Sequence, residues 1–176
     1  MTPLVITFVG DDRPGLVNAI SERIAASGAS WLESRSAQLA GKFAGILRVD
    51  VPEANVTDLE SSLLALEANG LRVAVERGAA SPVEDNARVL ALNVLGHERP
   101  GIVRDLTQAL KGLGVNIEEF SSGIERAAFT GAEMFRAEAR LRAPVDLALE
   151  DLRKTLERLA GELMVDLAIG ESETAP

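Results

Sequence analysis

Residues 4–16 read LVITFVGDDRPGL and residues 90–102 read LALNVLGHERPGI. Each stretch is an apolar run, a glycine, a short charged segment, and Arg-Pro-Gly before the next apolar residue. The register is constant: Gly10 matches Gly96, Arg13 matches Arg99, Pro14 matches Pro100, Gly15 matches Gly101, and Gly28 matches Gly114. A repeat of roughly 85 residues is too long for a solenoid unit and has the size of a small domain. The chain therefore reads as one domain duplicated in tandem, with a strand–turn–helix loop in each copy.

Working outward, residues 4–9 are continuously apolar and read as a buried central strand. Asp11-Asp12-Arg13-Pro14-Gly15 is a turn into a helix. An acid before Pro14 is expected to cap that helix, and the proline fits its first turn, where a missing N–H costs nothing. Leu16, Val17, Ile20 and Ile24 make one apolar face, and Gly28 closes the helix. Residues 31–39 and 43–51 flank Ala40-Gly41-Lys42 as a hairpin. Leu47, Val49 and Val51 alternate with Arg48 and Asp50, so that strand has one dry face. Residues 56–68 form a second helix with Val56, Leu59, Leu63 and Leu66 inward, and residues 71–75 a final strand.

The second copy repeats the order. Residues 88–95 are a strand, and Ile102, Val103, Leu106, Leu110 and Leu113 face one side of a helix closed by Gly114. Residues 115–124 and 134–141 form the hairpin, Leu149, Leu152, Leu156 and Leu159 line the last helix, and residues 163–169 are the last strand. The expected fold is α+β: two ferredoxin-like βαββαβ modules, each an antiparallel sheet with helices on one face. Expected domains are residues 1–77 and 88–170, with a linker over 78–87 and a disordered polar tail over 171–176. The modules are expected to pair side by side into a larger sheet or helix face to helix face.

Composition narrows the function. The net charge of −9 disfavours phosphate backbones, so direct nucleic-acid binding is not expected. Absence of cysteine excludes thiol catalysis, disulfides and Cys-ligated metals. It suits a cytoplasmic protein, and the N-terminus has no signal-peptide pattern. No apolar run is long enough to span a bilayer, so no membrane partner is expected. At 3% aromatic residues the chain lacks stacking platforms for single-stranded nucleic acid.

The repeated loop ends a strand at the N-terminus of a helix, where free N–H groups and the helix dipole favour an anion such as a carboxylate. Gly15 and Gly101 permit close approach. Arg13 and Arg99 lie beside Asp11, Asp12, His97 and Glu98, and a loop of both signs suits a zwitterion better than a phosphate. Taken alone, such a turn is equally a cap, a proline start and a tight bend without a ligand.

At these residues the chain resembles a tandem ACT-domain protein over residues 3–77 and 88–169. The features that carry the likeness are D-D-R-P-G-L and H-E-R-P-G-I after strand one, and G-A-S and G-V-N-I opening strand two. A pair of ACT modules without catalytic or DNA-binding domain most resembles the glycine cleavage system transcriptional repressor family. That resemblance implies repression through a partner activator protein, tuned by glycine. In amino-acid-binding ACT domains the ligand lies between two modules, against the loop and the start of strand two. Carried over, this implicates Asp11, Asp12, Arg13, Pro14, Gly15 and Leu16, then Glu98, Arg99, Pro100, Gly101 and Ile102. It also implicates Asn116, which matches a frequent ligand-binding Asn, with Ser30 at that place in the first copy. Where serine-binding members often carry Asn in the loop, this chain has Asp12 and Glu98, so two inequivalent sites are expected.

Other candidates have simpler accounts. His97 beside Glu98 and Asp105 lacks the convergent ligands of a metal or catalytic site and reads as a solvated loop histidine. Asp11 and Asp12 lack a third oxygen ligand and read as capping residues. Ser34, Ser36, Ser121 and Ser122 have no His partner. Glu118 and Glu119, adjacent on a strand, are expected to face opposite sides rather than work as a pair. No catalytic residue, metal or cofactor is expected. The favoured function is amino-acid-responsive regulation through a protein partner, with glycine or serine as first candidate ligands and a homodimer as one possible assembly. The rivals are a detached regulatory subunit of an amino-acid metabolic enzyme, a small enzyme on this fold, and a structural dimerisation module.

Overall fold

A computed structural model describes residues 1–78, 87–127 and 131–171. Most of the expected linker, most of the expected tail and the centre of the second hairpin loop lie outside those residues. The chain divides into two compact units, Met1–Val83 and Glu84–Pro176.

In the first unit β1 (Thr2–Asp11) leads to α1 (Leu16–Ala26), then β2 (Ser30–Leu39) and β3 (Lys42–Val51). A 3-10 turn (Glu53–Asn55) precedes α2 (Val56–Leu64), a second one (Ala65–Asn69) follows it, and β4 (Leu71–Arg77) ends the unit. The four-stranded sheet has the order β2-β3-β1-β4, and all its pairings are antiparallel. Ala40 (φ 49°) and Gly41 (φ 77°) are both left-handed, the two-residue turn whose twist matches a hairpin. The second unit repeats this with β5 (Arg88–His97), α3 (Ile102–Gly112), β6 (Asn116–Arg126), β7 (Glu133–Ala143), α4 (Leu149–Leu163) and β8 (Val165–Glu171), in the order β6-β7-β5-β8.

Each unit has its own core between helices and one sheet face. Leu4, Ile6, Phe8, Ile20, Leu47, Val49, Leu59 and Leu63 are buried in the first, and Leu90, Leu92, Leu106, Leu110, Leu141, Leu152 and Leu156 in the second. At about 25 cal/mol per Å² of apolar surface, this burial is the main term holding each module together.

Four expectations are corrected. The β1 run is not buried on both faces: Leu4, Ile6 and Phe8 are inward, whereas Thr7 is exposed and Val5 and Val9 are half-buried on the helix-free face. A continuous apolar run does not by itself report whether one or two layers cover a strand. The helix expected over residues 56–68 is α-helical only to Leu64 and tightens into a 3-10 turn up to the left-handed Gly70 (φ 76°). Leu163 belongs to α4, where it continues the buried Leu152, Leu156, Leu159 stripe, so β8 begins at Val165. At its other end β8 takes Glu171, which pairs with Leu90 rather than opening a tail.

Candidate functional site

The loop after β1 is built by the ladder around it. Asp11 is the last β1 residue and receives a hydrogen bond from Lys42 Nζ. That bond, followed by the Lys42 charge, holds the Asp11 carboxyl below its ordinary value. The Asp12 N–H donates to the Gly41 carbonyl at 2.9 Å, and the Glu98 N–H to the Glu133 carbonyl at 3.3 Å. The acids are thus tied to the hairpin and not to the helix.

No side chain caps α1 or α3; the N-cap residues are Gly15 (φ 93°) and Gly101 (φ 90°). Pro14 and Pro100 stand one residue ahead of the cap instead of in the first helical turn. The expected acid cap is therefore corrected: β1 runs on to Asp11, and Arg13 and Pro14 separate Asp12 from the Gly15 cap. The first N–H groups of each helix are left without an intrahelical acceptor. Leu16 and Ile102 are 5% and 3% exposed, so their side chains belong to the core and only their backbone is available to the loop.

The two arginines are held differently. Arg13 donates to the Asn69 carbonyl, a neutral acceptor. Arg99 Nη2 donates to Asp105 Oδ2 at 3.0 Å, and Arg104 Nη2 lies 2.8 Å from the other oxygen of the same carboxylate. Ala19 occupies the Asp105 place in the first copy.

Ser30 and Asn116, both exposed, open β2 and β6. Neither is near its own module's loop. On β3, Lys42 stands opposite Asp11 and Asp50 opposite Ser30. On β7, Met134 stands opposite His97 and Arg142 opposite Asn116. Eight residue steps separate the two ends in each copy, roughly 27 Å at 3.4 Å per residue. A free amino acid cannot span that, so the loop and the strand start of one module do not hold the same amino acid.

Sequence reasoning missed what lies beside the strand starts. Both β2 and β6 carry a register shift at matching places, Trp31/Glu33 and Ile117/Glu119. Glu118 is the extra residue of the second bulge. Glu118 Oε2 lies 3.2 Å from Arg140 Nε, and Glu119 Oε1 lies 3.8 Å from Arg140 Nη1. Arg142 also donates to Glu118. The expectation that these glutamates face opposite sides is therefore corrected, because a bulge breaks the alternation of the strand. The first-copy counterparts are Leu32, Glu33 and Arg48. Among the described residues no three His, Asp or Glu side chains converge as metal ligands. No described helix is long and apolar enough to cross a membrane.

Two βαββαβ modules in tandem, with a glycine-ended loop at each first helix, define a duplicated ferredoxin-like α+β protein. The chain belongs to the ACT domain family, which it matches over residues 2–76 and 88–169. It is 26% identical to the glycine cleavage system transcriptional repressor of Escherichia coli, covering 91% of this chain and 85% of that protein. It is 30% identical to phosphoserine phosphatase SerB2 of Mycobacterium tuberculosis over 94% of this chain but 40% of that protein. A crystal structure of an unknown protein from Galdieria sulphuraria superposes with a TM-score of 0.82 at 30% identity, covering 98% of this chain and 99% of that one. The chain is thus a regulatory-type ACT protein related to the glycine cleavage repressor.

Proposed function

We propose that this chain is an amino-acid-responsive regulator of the glycine cleavage repressor type, acting through a protein partner and not by its own contact with DNA. The observation that carries the reading is a likeness that runs through most of both chains, 91% of this one and 85% of the Escherichia coli repressor. The net charge of −9 supports action through protein, because it opposes approach to a phosphate backbone. The loop residues Asp11 to Leu16 and Glu98 to Ile102 lead into helix N-termini, which favour a carboxylate, and Ser30 and Asn116 offer polar side chains at the strand starts. An amino acid that binds one arrangement better then shifts affinity for the partner by linkage.

The phosphatase likeness favours a second reading, a detached regulatory subunit of an amino-acid metabolic enzyme. Thermal unfolding of the full chain against the twenty amino acids tests both. A ligand at 100 times its Kd stabilises by about 2.7 kcal/mol, a readily measured shift. Glycine or serine is expected to give it, and Asn116→Ala to reduce it. A flat response to all twenty sinks direct sensing. Co-purification with an enzyme in place of a transcription factor moves the reading to the second.

A further inference from the structure

The two modules differ on the sheet face that carries no helix. In the first, Val5, Thr7 and Val9 of β1 stand beside Ile46 and Ala44 of β3 and Ala74 of β4. Ile46 is 48% exposed, and Thr7, Ala44 and Ala74 are exposed with it. The solvated face of an antiparallel sheet is ordinarily polar at alternate residues, yet Thr7 is the single polar side chain among these six. In the second module Arg136 and Glu138 hold the places of Ala44 and Ile46, opposite Leu95 and Asn93 as those stand opposite Val9 and Thr7. The fold itself therefore does not require an apolar centre on this face.

Charges rim the patch in a pattern that fits its own copy. On β4, Arg72 and Glu76 flank Ala74 and share its face, opposite Val9 and Val5. Both are exposed, and among the described residues neither forms an ion pair or a side-chain hydrogen bond. Arg48, on the row of Val5, has Glu33 opposite it on β2. Consider a two-fold axis running across the strands along the row of Ile46, Thr7 and Ala74. It lays a second copy on the first with each strand over its own counterpart, reversed in direction. Val5 then lies over the partner's Val9, Ile46 over the partner's Ile46, and Glu76 over the partner's Arg72. Sheets packed in this way stand about 10 Å apart with interdigitated side chains. A face like that around Arg136 and Glu138 would instead lose water over Ile46 without a counter-charge, which is costly.

We propose that the helix-free face of the first module is a homodimer interface, where a second copy of this chain packs sheet against sheet about that axis. Ile46 is its centre, and two reciprocal Arg72–Glu76 ion pairs form its rim. A two-fold interface needs this self-complementarity, because each residue meets a mate that meets it in return. The patch is small for an obligate interface, so the dimer forms and dissociates with concentration. The pairing does not rest on the amino-acid-sensing reading.

Sedimentation velocity of the full chain over a concentration series tests this. The wild-type protein is expected to move from monomer to dimer as concentration rises. Ile46→Glu is expected to raise the dimer dissociation constant about tenfold or more while the monomer stays folded, since Glu138 stands at the matching place of the second module. Arg72→Glu or Glu76→Arg alone is expected to weaken the dimer about tenfold by setting like charges opposite each other. Arg72→Glu and Glu76→Arg together in one chain are expected to restore it, and the two single variants, when mixed, to pair with each other. A dimer that survives Ile46→Glu has its contact elsewhere and overturns the proposal, as does a double reversal that fails to restore dimerisation. A wild-type chain that stays monomeric at every concentration also overturns it and leaves the face to an unlike partner.

Discussion

At the start of its second strand the first module carries Ser30, Trp31 and Leu32 where the second carries Asn116, Ile117 and Glu118. The backbone there is the same, down to the bulge. The charge is not. Glu118 ties Arg140 and Arg142 together, whereas the matching place in the first module holds Leu32, which has no carboxylate to offer. The loops differ in the same sense, with Arg99 on the Asp105 carboxylate and Arg13 on a neutral carbonyl. The core differs by compensation. Phe8 packs over Gly45, and their counterparts are Val94 and Ala137. A duplicated fold therefore keeps backbone and packing volume while its polar positions diverge, and those positions are where the two copies can differ in function.

The largest effect expected is Leu63→Ala. Leu63 is 0% exposed, and truncating such a leucine costs about 2–5 kcal/mol. Amide hydrogen exchange should show the loss in residues 1–78 with little change in residues 87–171. Equal loss in both would end the view of two separately cored modules.

Next comes Gly45→Ala. A Cβ there would lie 2.4 Å from the Phe8 ring, and overpacking of this kind costs about 1–3 kcal/mol. Pairing it with Phe8→Val, which recreates the second-module combination, should recover much of that loss in a denaturant titration. Failure to recover would mean that the two cores are not interchangeable at this layer.

The smallest effect is on acid titration. Lys42 lowers the Asp11 carboxyl, so the ion pair contributes above the ordinary carboxylate value of about 3.9 and is lost as pH falls through the lowered one. The second module has Met134 opposite His97 and lacks this pair. Lys42→Ala should return the Asp11 titration toward the ordinary value by NMR, with no change at the end of β5. An Asp11 titration unmoved by that substitution would remove this difference between the copies.

Much of this was legible in residues alone. The doubled G-x-x-R-P-G pattern, the apolar stripes at helical spacing and the alternation of Leu47, Val49 and Val51 depend on local geometry, and the elements followed them. What failed depended on partners distant in sequence. Asp12 looked like a cap, but the helix starts from the left-handed Gly15 three residues on, and Leu163 looked like a strand residue until α4 extended through it. Glu118 and Glu119 obeyed no alternation because a bulge intervened.

The sequence by itself therefore determined the duplication, the βαββαβ order and the loop that opens each first helix, because periodicity and turn chemistry act over a few residues. Only the tertiary structure decided that loop and strand start lie at opposite ends of a module, and that Glu118 lies against both Arg140 and Arg142. Both follow from register across strands, which no local pattern encodes.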